Sequence, residues 1–423
     1  MQPRRLDSLS AAERAAFLDR DAGLAEIRDD VAAIVRRVRE DGDAALRDFA
    51  AEFDGVELER VDVTDEVAEA AAAADASVRA AIEHAARNVR DFHERQLPVD
   101  WRESFDGREL GRRFRPIDRV GTYVPGGTAA YPSSALMTVI PATVAGVEHV
   151  AVATPPAERL HPATAAAIEV AGADRVYAMG GAQAIAALAY GTETVEPVTK
   201  VVGPGNRWVT AAKAAVRGDV GIDFLAGPSE VLVLADGAAD PALVAAELVT
   251  QAEHDADASV VAVTDDAALA DAVAAAVDEQ AAGLPREETV RACLAGDASG
   301  VLIADSMAEA AAFAEAYAPE HLAVMAADDE ALLDAVPSAG SAFLGPTTPV
   351  AAGDYASGPN HVLPTGGQAR LVGGLSVDTF LRSTTVQRLD RAALAELRDT
   401  VTTLARTEGL EAHARSVERR FEG

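Results

Sequence analysis

The chain has 423 residues, 49% of them apolar, and a mean hydropathy of +0.06, more than one ordinary hydrophobic core uses, which points to a multi-domain globular protein. Its 68 acidic and 37 basic residues leave a formal charge of −31, and such a surface repels nucleic acid and anionic membranes, so neither is expected as a partner. The N-terminus is polar and no run approaches about 18 apolar residues, so neither a secretory signal nor a membrane span is predicted and a cytoplasmic location is expected. Only two basic residues are lysines, Lys200 and Lys213. At about 1 M salt the Debye length falls to about 3 Å, and the acidic, arginine-biased composition reads as adaptation to a high-salt cytosol. The lone cysteine, Cys293, forms no internal disulfide and has no second thiol for metal chelation.

In chain order, the first hundred residues read as helices. DVAAIVRRVRE carries apolar residues at helical spacing, as does the Ala-rich stretch from Asp65 to Gln96. From Arg119 the pattern changes to short β-branched runs separated by helical stretches: RVGTYV, HVAVAT, RVYAM and TKVVG, then EVLVLAD, SVVAVT, GVLIAD, HLAVMA and SAFLG. Strand and helix in alternation predict an α/β fold of parallel sheets covered by helices, and two such series predict two doubly wound domains. The Gly/Pro-punctuated segment Ala226–Glu230 is the candidate crossing between them. In such sheets ligands bind at the carboxyl ends of strands. Alternation stops near Leu375, and the tail reads as two helices broken at Gly409.

Four of the eight histidines lie in polar clusters of the C-terminal part, at His254, His321, His361 and His413. Asp240–Pro241 is a helix start, with Asp as N-cap and Pro in the first turn. It launches a helix that carries Gln251 and His254 three residues apart, on one face. A carboxamide oxygen and an imidazole are half of a metal shell that Asp354 and His413 would complete; two His with two oxygen ligands suit Zn²⁺ best, with Mn²⁺ or Co²⁺ next. By itself a Gln and a His at this spacing are usually just a solvated helix end, and it is the wider constellation that favours a metal. Glu320 and His321 adjoin at a helix-to-strand turn and offer two proton carriers near neutral pH. Because neighbouring strand residues point to opposite faces, both reach one pocket only if the backbone is irregular, as Pro319 suggests. GDYASGPNHVLPT reads as a loop of functional composition. GTYVPGG (Gly121 to Gly127), MGGAQAIA and VVGPGNRW are Gly-rich strand-to-helix turns of the kind that cradle phosphates, although none has the spaced-glycine dinucleotide fingerprint and each also serves simply as a tight turn.

The strings GTYVPGG, YPSSALM, GGAQAIAALAYGT, VVGPGN, AGPSEVLVLAD, QAEHD, PEHL, GDYASGPNHVLPT and EGL-x-AH, in this order from about Arg119 to His413, resemble the histidinol dehydrogenase family. The resemblance implies a zinc- and NAD-dependent four-electron oxidation of L-histidinol through L-histidinaldehyde to L-histidine, closing histidine biosynthesis. It implies a homodimer with shared active sites and one Zn²⁺ per subunit, held by Gln251, His254, Asp354 and His413. Substrate would be held by Ser229, His321 and Glu408 besides these ligands. Tyr123, Gln183 and Asn206 match the family's NAD-contacting positions, Glu320 and His321 its proton-transfer pair, and Glu408 and His413 residues lent across the dimer interface. His361 lies in a family motif without an assigned role, and Pro359 stands where many members carry threonine. The implied architecture is α/β, with two incomplete Rossmann-like domains: residues 26–122 with 231–375, and residues 123–230 on the NAD side. A helical N-terminal segment (1–25) and a helical C-terminal tail (376–423) flank them. Alternatives are a paralogous zinc/NAD amino-alcohol dehydrogenase, a zinc hydrolase using Glu320 and a metal-bound water, and a non-catalytic binding protein. Catalysis by Cys293 is disfavoured because it lies outside every motif.

Overall fold

The computed structural model describes residues 1–20, 23–126 and 130–422. Among them run strands β1 (Arg4–Arg5), β2 (Trp101–Phe105), β3 (Arg108–Pro116), β4 (Arg119–Tyr123), β5 (His149–Thr154), β6 (Arg175–Ala178), β7 (Lys200–Val202), β8 (Gly221–Ile222), β9 (Glu230–Ala235), β10 (Ser259–Thr264), β11 (Gly300–Ile303), β12 (His321–Met325), β13 (Ser341–Leu344) and β14 (Leu381–Leu389). By contacts the chain divides into two compact units, Met1–Gln96 with Asp118–Phe380, and Leu97–Ile117 with Leu381–Gly423. No helix among the described residues is long and apolar enough to cross a membrane.

The first unit contains both expected parallel sheets. One has the order β1-β11-β10-β9-β12-β13, the other β6-β5-β4-β7-β8, and every pairing in them is parallel. The central strands are continuous apolar runs because both faces are covered. Their period of two sorts the side chains: Val231, Val233, Val260, Ala262 and Ala323 enter the core with Val244 and Leu248, while Leu232, Leu234, Val261, Val263 and Leu322 enter another with Phe17 and Tyr317. Each buried Val or Leu side chain among these contributes roughly 1.5–3 kcal/mol. The N-terminal segment is more than helical, since β1 adds an edge strand beside β11.

The helices between residues 28 and 94 pack differently from the expected grouping of 26–122 with 231–375. Arg28–Asp41 lies on Gly181–Tyr190 and Arg207–Val216, and Ala76–Glu94 on Pro132–Ala145 and Pro162–Ala171. These are the helices of the five-stranded sheet. Ile27, Val31, Val35 and Val38 share a core with Ile185, Leu188 and Val209. An amphipathic face states that a partner is needed, not which one.

The second unit departs further from the expected helical tail. Its strands β14-β3-β2 form an antiparallel sheet, joined to two helices, Arg391–Thr407 and Glu411–Glu418, broken as expected at Gly409, whose φ is 77°. The β2–β3 hairpin turns at Asp106 and Gly107 with φ of 49° and 77°, the Asp-Gly signature of a tight hairpin. β2 is exposed throughout and β3 is mostly half-buried and arginine-rich, so neither carries the apolar alternation by which a strand is read from sequence.

Helix Ala76–Glu94 also fastens the loop after Asp354. Asn88 donates to the carbonyl of Ala356 at 2.8 Å. The fully buried His93 has Nδ1 2.7 Å from the carbonyl of Val89 and Nε2 3.4 Å from the amide nitrogen of Asn360, which itself donates to Met137. A carbonyl only accepts, so Nδ1 carries a proton. Burial lowers the His93 pKa below 6.5, so the stability it contributes is fully present above that value and is lost as pH falls below it. His93→Gln should therefore cost about 1–2 kcal/mol at pH 8, and the gap to wild type in denaturant unfolding at fixed KCl should shrink as pH is lowered to 5.

Candidate active site

A cavity of 1780 Å³ in the first unit is lined by Tyr123, Gln183, Asn206, Ser229, Gln251, His254, Glu320, His321, Asp354 and His361. On the five-stranded sheet these residues follow the carboxyl ends of strands, as expected. Tyr123 ends β4, Gln183 lies in the first turn of the helix Gly181–Tyr190 after β6, and Asn206 caps the helix Arg207–Val216 after β7. The phenolic oxygen of Tyr123 accepts the N–H of Gly181 at 3.1 Å, which leaves its own O–H to donate. Burial pushes the phenol up to about 12, so it stays a neutral donor. Asn206 Oδ1 accepts the N–H groups of Trp208 and Val209 at 3.0 and 3.2 Å, so the amide nitrogen takes no part in the cap. Of the GTYVPGG turn, Gly127 lies outside the described residues.

The six-stranded sheet presents its opposite edge. Ser229 precedes β9, Glu320 precedes β12 and His321 begins it, so these groups sit at amino ends of strands, not the expected carboxyl ends. Parallel topology explains why the helix residues join them. A helix leaving the carboxyl end of one strand returns to the amino end of the next, and Gln251 lies in the last turn of Pro241–Ala252, with His254 just beyond. Asp354 belongs to the short helix Val350–Tyr355, where a loop was expected.

Glu320 and His321 reach one cavity because the chain is irregular just before β12, where Ala318 takes φ of 51°. His321 is 3% exposed. Its Nδ1 lies 2.9 Å from the carbonyl of Glu230 and 3.5 Å from Glu320 Oε2, and its Nε2 lies 3.4 Å from Asp354 Oδ1. The carbonyl assigns one proton to Nδ1, so Nε2, buried without a hydrogen-bond partner, is the nitrogen whose protonation can change. Burial pulls the imidazole pKa down, but Glu320 and Asp354 outweigh it and hold it well above 6.5. Burial also raises Glu320 above the usual carboxylate range, only partly opposed by His321. For Asp354 burial is overcome by His321, His361 and His254, and its pKa is lowered.

Gln251 is 2% exposed and its Oε1 has no hydrogen-bond partner, an orphan that buried polar groups avoid unless a ligand meets them. His361 Nδ1 lies 2.7 Å from the carbonyl of Asp354, so it too stands in the cavity wall. Glu408 and His413 belong to the second unit, at the C-cap of Arg391–Thr407 and within Glu411–Glu418. Among the described residues no three His, Cys, Asp or Glu side chains cluster closely enough to hold a metal ion. Cys293 is buried, with its thiol raised to about 11, and is unsuited to nucleophilic work at neutral pH.

Two groups escaped the sequence reading, Arg20 and Glu230. The Arg20 guanidinium donates to the Glu230 carboxylate at 2.7 and 3.1 Å. Glu230 ends the AGPSE string, but nothing in the sequence links it to a residue 210 positions away.

The histidinol dehydrogenase family model matches residues 19–421. This chain belongs to the histidinol dehydrogenase family. It is 68% identical to histidinol dehydrogenase of Haloarcula marismortui, over 100% of both chains, and 46% identical to that of Bacillus subtilis, over 98% of both. The crystal structure of histidinol dehydrogenase from Elizabethkingia anophelis matches with a TM-score of 0.95 at 37% identity, covering 100% of this chain and 98% of that one. An acetylating aldehyde dehydrogenase from Geobacillus thermoglucosidasius shares the fold alone, with a TM-score of 0.51 at 13% identity over 90% of this chain and 97% of that one.

One glycine of the VVGPGN turn is demanded by geometry. Gly203 has φ of 112°, and a Cβ there would overlap the carbonyl oxygen of Tyr123. Its N–H donates to Asp223 at 2.8 Å and its carbonyl accepts from Lys213 at 3.0 Å. Gly203→Ala should cost about 2–4 kcal/mol in denaturant unfolding, whereas Gly218→Ala, with open space around it, should stay within about 0.5 kcal/mol of wild type.

Proposed function

We propose that this chain is a histidinol dehydrogenase that oxidises L-histidinol through L-histidinaldehyde to L-histidine with two NAD, the last steps of histidine biosynthesis, in a salt-rich cytoplasm. The observation that carries the reading is the buried Glu320–His321 pair in one cavity with the orphaned Gln251 oxygen and with Tyr123, Gln183 and Asn206. The family membership agrees with it.

The donor set suits zinc, combining a carboxamide, imidazole and carboxylate at Gln251, His254 and Asp354. The fourth ligand would be the partner subunit's His413. When bound, zinc would fix the imidazole and amino group of histidinol and take up the Asp354 charge that otherwise favours a protonated His321. Tyr123, Gln183 and Asn206 would hold NAD, which when bound would supply the hydride acceptor for each oxidation. His321 Nε2 then accepts the hydroxyl proton of histidinol as the carbinol carbon gives up hydride. Glu320, whose raised pKa brings it nearer neutrality, takes a proton from water as the water oxygen attacks the aldehyde carbon, and His321 returns its proton to the carbonyl oxygen, which completes the hydrate and frees Nε2. His321 accepts the hydroxyl proton of the hydrate as the second hydride leaves. Ser229 and the partner subunit's Glu408 hold the substrate. A homodimer with one zinc per subunit follows, and the large apolar side chains exposed on the second unit, Trp101, Phe105, Leu404 and Leu410, favour such a partner.

The deciding measurement is NADH formed per L-histidinol consumed by zinc-loaded protein in multimolar KCl. Two NADH with histidine as product are expected; one would mean an alcohol dehydrogenase that stops at the aldehyde, and dinucleotide-independent turnover would mean a hydrolase. Division of labour gives a second expectation. His321→Asn should lower both oxidations by about 10²–10⁴-fold with zinc retained, while Glu320→Gln should chiefly slow oxidation of added histidinaldehyde. Equal losses in both steps for Glu320→Gln would contradict the assignment.

A further inference from the structure

Glu230 has no part in the chemistry above, yet most of its polar groups meet the pair that does. Its N–H donates to Glu320 Oε2 at 2.8 Å, its carbonyl accepts from His321 Nδ1 at 2.9 Å, and its carboxylate accepts the N–H of Glu320 at 3.3 Å. The same carboxylate takes the N–H of Gly366 at 2.7 Å and the Arg20 fork at 2.7 and 3.1 Å. Both side chains are buried, at 6% exposure for Arg20 and 2% for Glu230. The guanidinium is pinned in turn, 3.6 Å from the centroid of the Tyr317 ring and bonded to the carbonyls of Phe17 and Tyr317 at 2.7 and 2.9 Å. We propose that Arg20 and Glu230 are a positioning pair that orients the Glu320–His321 dyad and sets the electric field at Glu320.

Stability alone does not account for such a pair. Replacing a buried ion pair by packed apolar groups is often neutral or stabilising, so an anchor for β9 and β12 has no need of two charges. What the charges do is act on Glu320. The groups facing it are His321 beside it at the start of β12, Glu230 on β9 with Arg20 behind it, and Tyr317 at the end of the preceding helix. Arg20 offsets the negative charge of Glu230; without that offset Glu230 would disfavour ionisation of Glu320, and without the Glu230 charge Glu320 would ionise more readily. A positioning pair that acts by charge therefore has a signature that packing lacks: its two members, once neutralised, must move the dyad in opposite directions.

This inference rests on Glu320 serving the aldehyde step. The test is the pH profile of kcat/KM for histidinaldehyde oxidation by the zinc-loaded, full-length protein in KCl. Arg20→Met should move the acid limb up by about one pH unit and Glu230→Gln should move it down by a similar amount, with zinc content unchanged in both. The double variant, which leaves no lone buried charge, should fall between them and covers the case in which Arg20→Met does not fold. An acid limb that stays at the wild-type position in every folded variant, or shifts in the same direction for Arg20→Met and Glu230→Gln, overturns the proposal. Glu320→Gln is run alongside: if it keeps both the rate and the acid limb of the wild type, the role of Glu320 is what fails, not the coupling of the pair.

Discussion

Glu230 and Glu320 grip each other across two neighbouring strands, each giving its backbone N–H to the other's carboxylate. Two carboxylates drawn together in a dry interior need a compensating charge, and Arg20 provides it from the N-terminal segment. That requirement reaches far into the fold. The segment has to lie against the six-stranded sheet, and it does so through β1 beside β11 and through Leu6 and Phe17 in the core with Leu232 and Tyr317. The orientation of His321 follows from the same contact, because the carbonyl of Glu230 fixes its Nδ1 proton and so turns Nε2 toward Asp354.

The rest of the site comes from parallel topology. Strands that all run one way carry helix C-termini to their amino edge, and the last turn of Pro241–Ala252 accordingly delivers Gln251 beside the beginnings of β9 and β12. The five-stranded sheet contributes its carboxyl edge, with helix N-termini after β6 and β7 suited to anionic ligands. Acid–base groups and a polar, Gly-lined wall therefore line a single cavity.

Charge is divided between surface and interior in a consistent way. The two lysines are both structural: Lys213 is 2% exposed and pairs with Asp223 while donating to Gly203, and Lys200 donates to the carbonyl of Thr379. The remaining cations are arginines, many of them in ion pairs with the acidic surface, such as Arg406 with Glu411 and Glu418. Exposed pairs of this kind contribute little individually. The buried Lys213 and half-buried Lys200 thus hold backbone in place, while most arginines meet the solvent-facing acids.

Much of the architecture was legible in the chain. The β-branched runs from Arg119 to Leu344 became strands within a residue or two, Asp240–Pro241 started its helix and Gly409 broke the tail, because strand period, caps and left-handed glycines act over a few residues. Motif strings likewise pointed to Tyr123, Gln183, Asn206, Glu320 and His321, which all line the cavity. The strands β2, β3 and β14 were not legible, since without a buried face they carry no hydrophobic period. Nor was the packing of Arg28–Asp41 on the five-stranded sheet, the amino-edge location of Glu320, or the partnership of Arg20 with Glu230. Local chemistry determines which element a segment forms, but which two distant groups meet depends on how the elements stack, and a charge pair separated by 210 residues exists only after that stacking has excluded water from both.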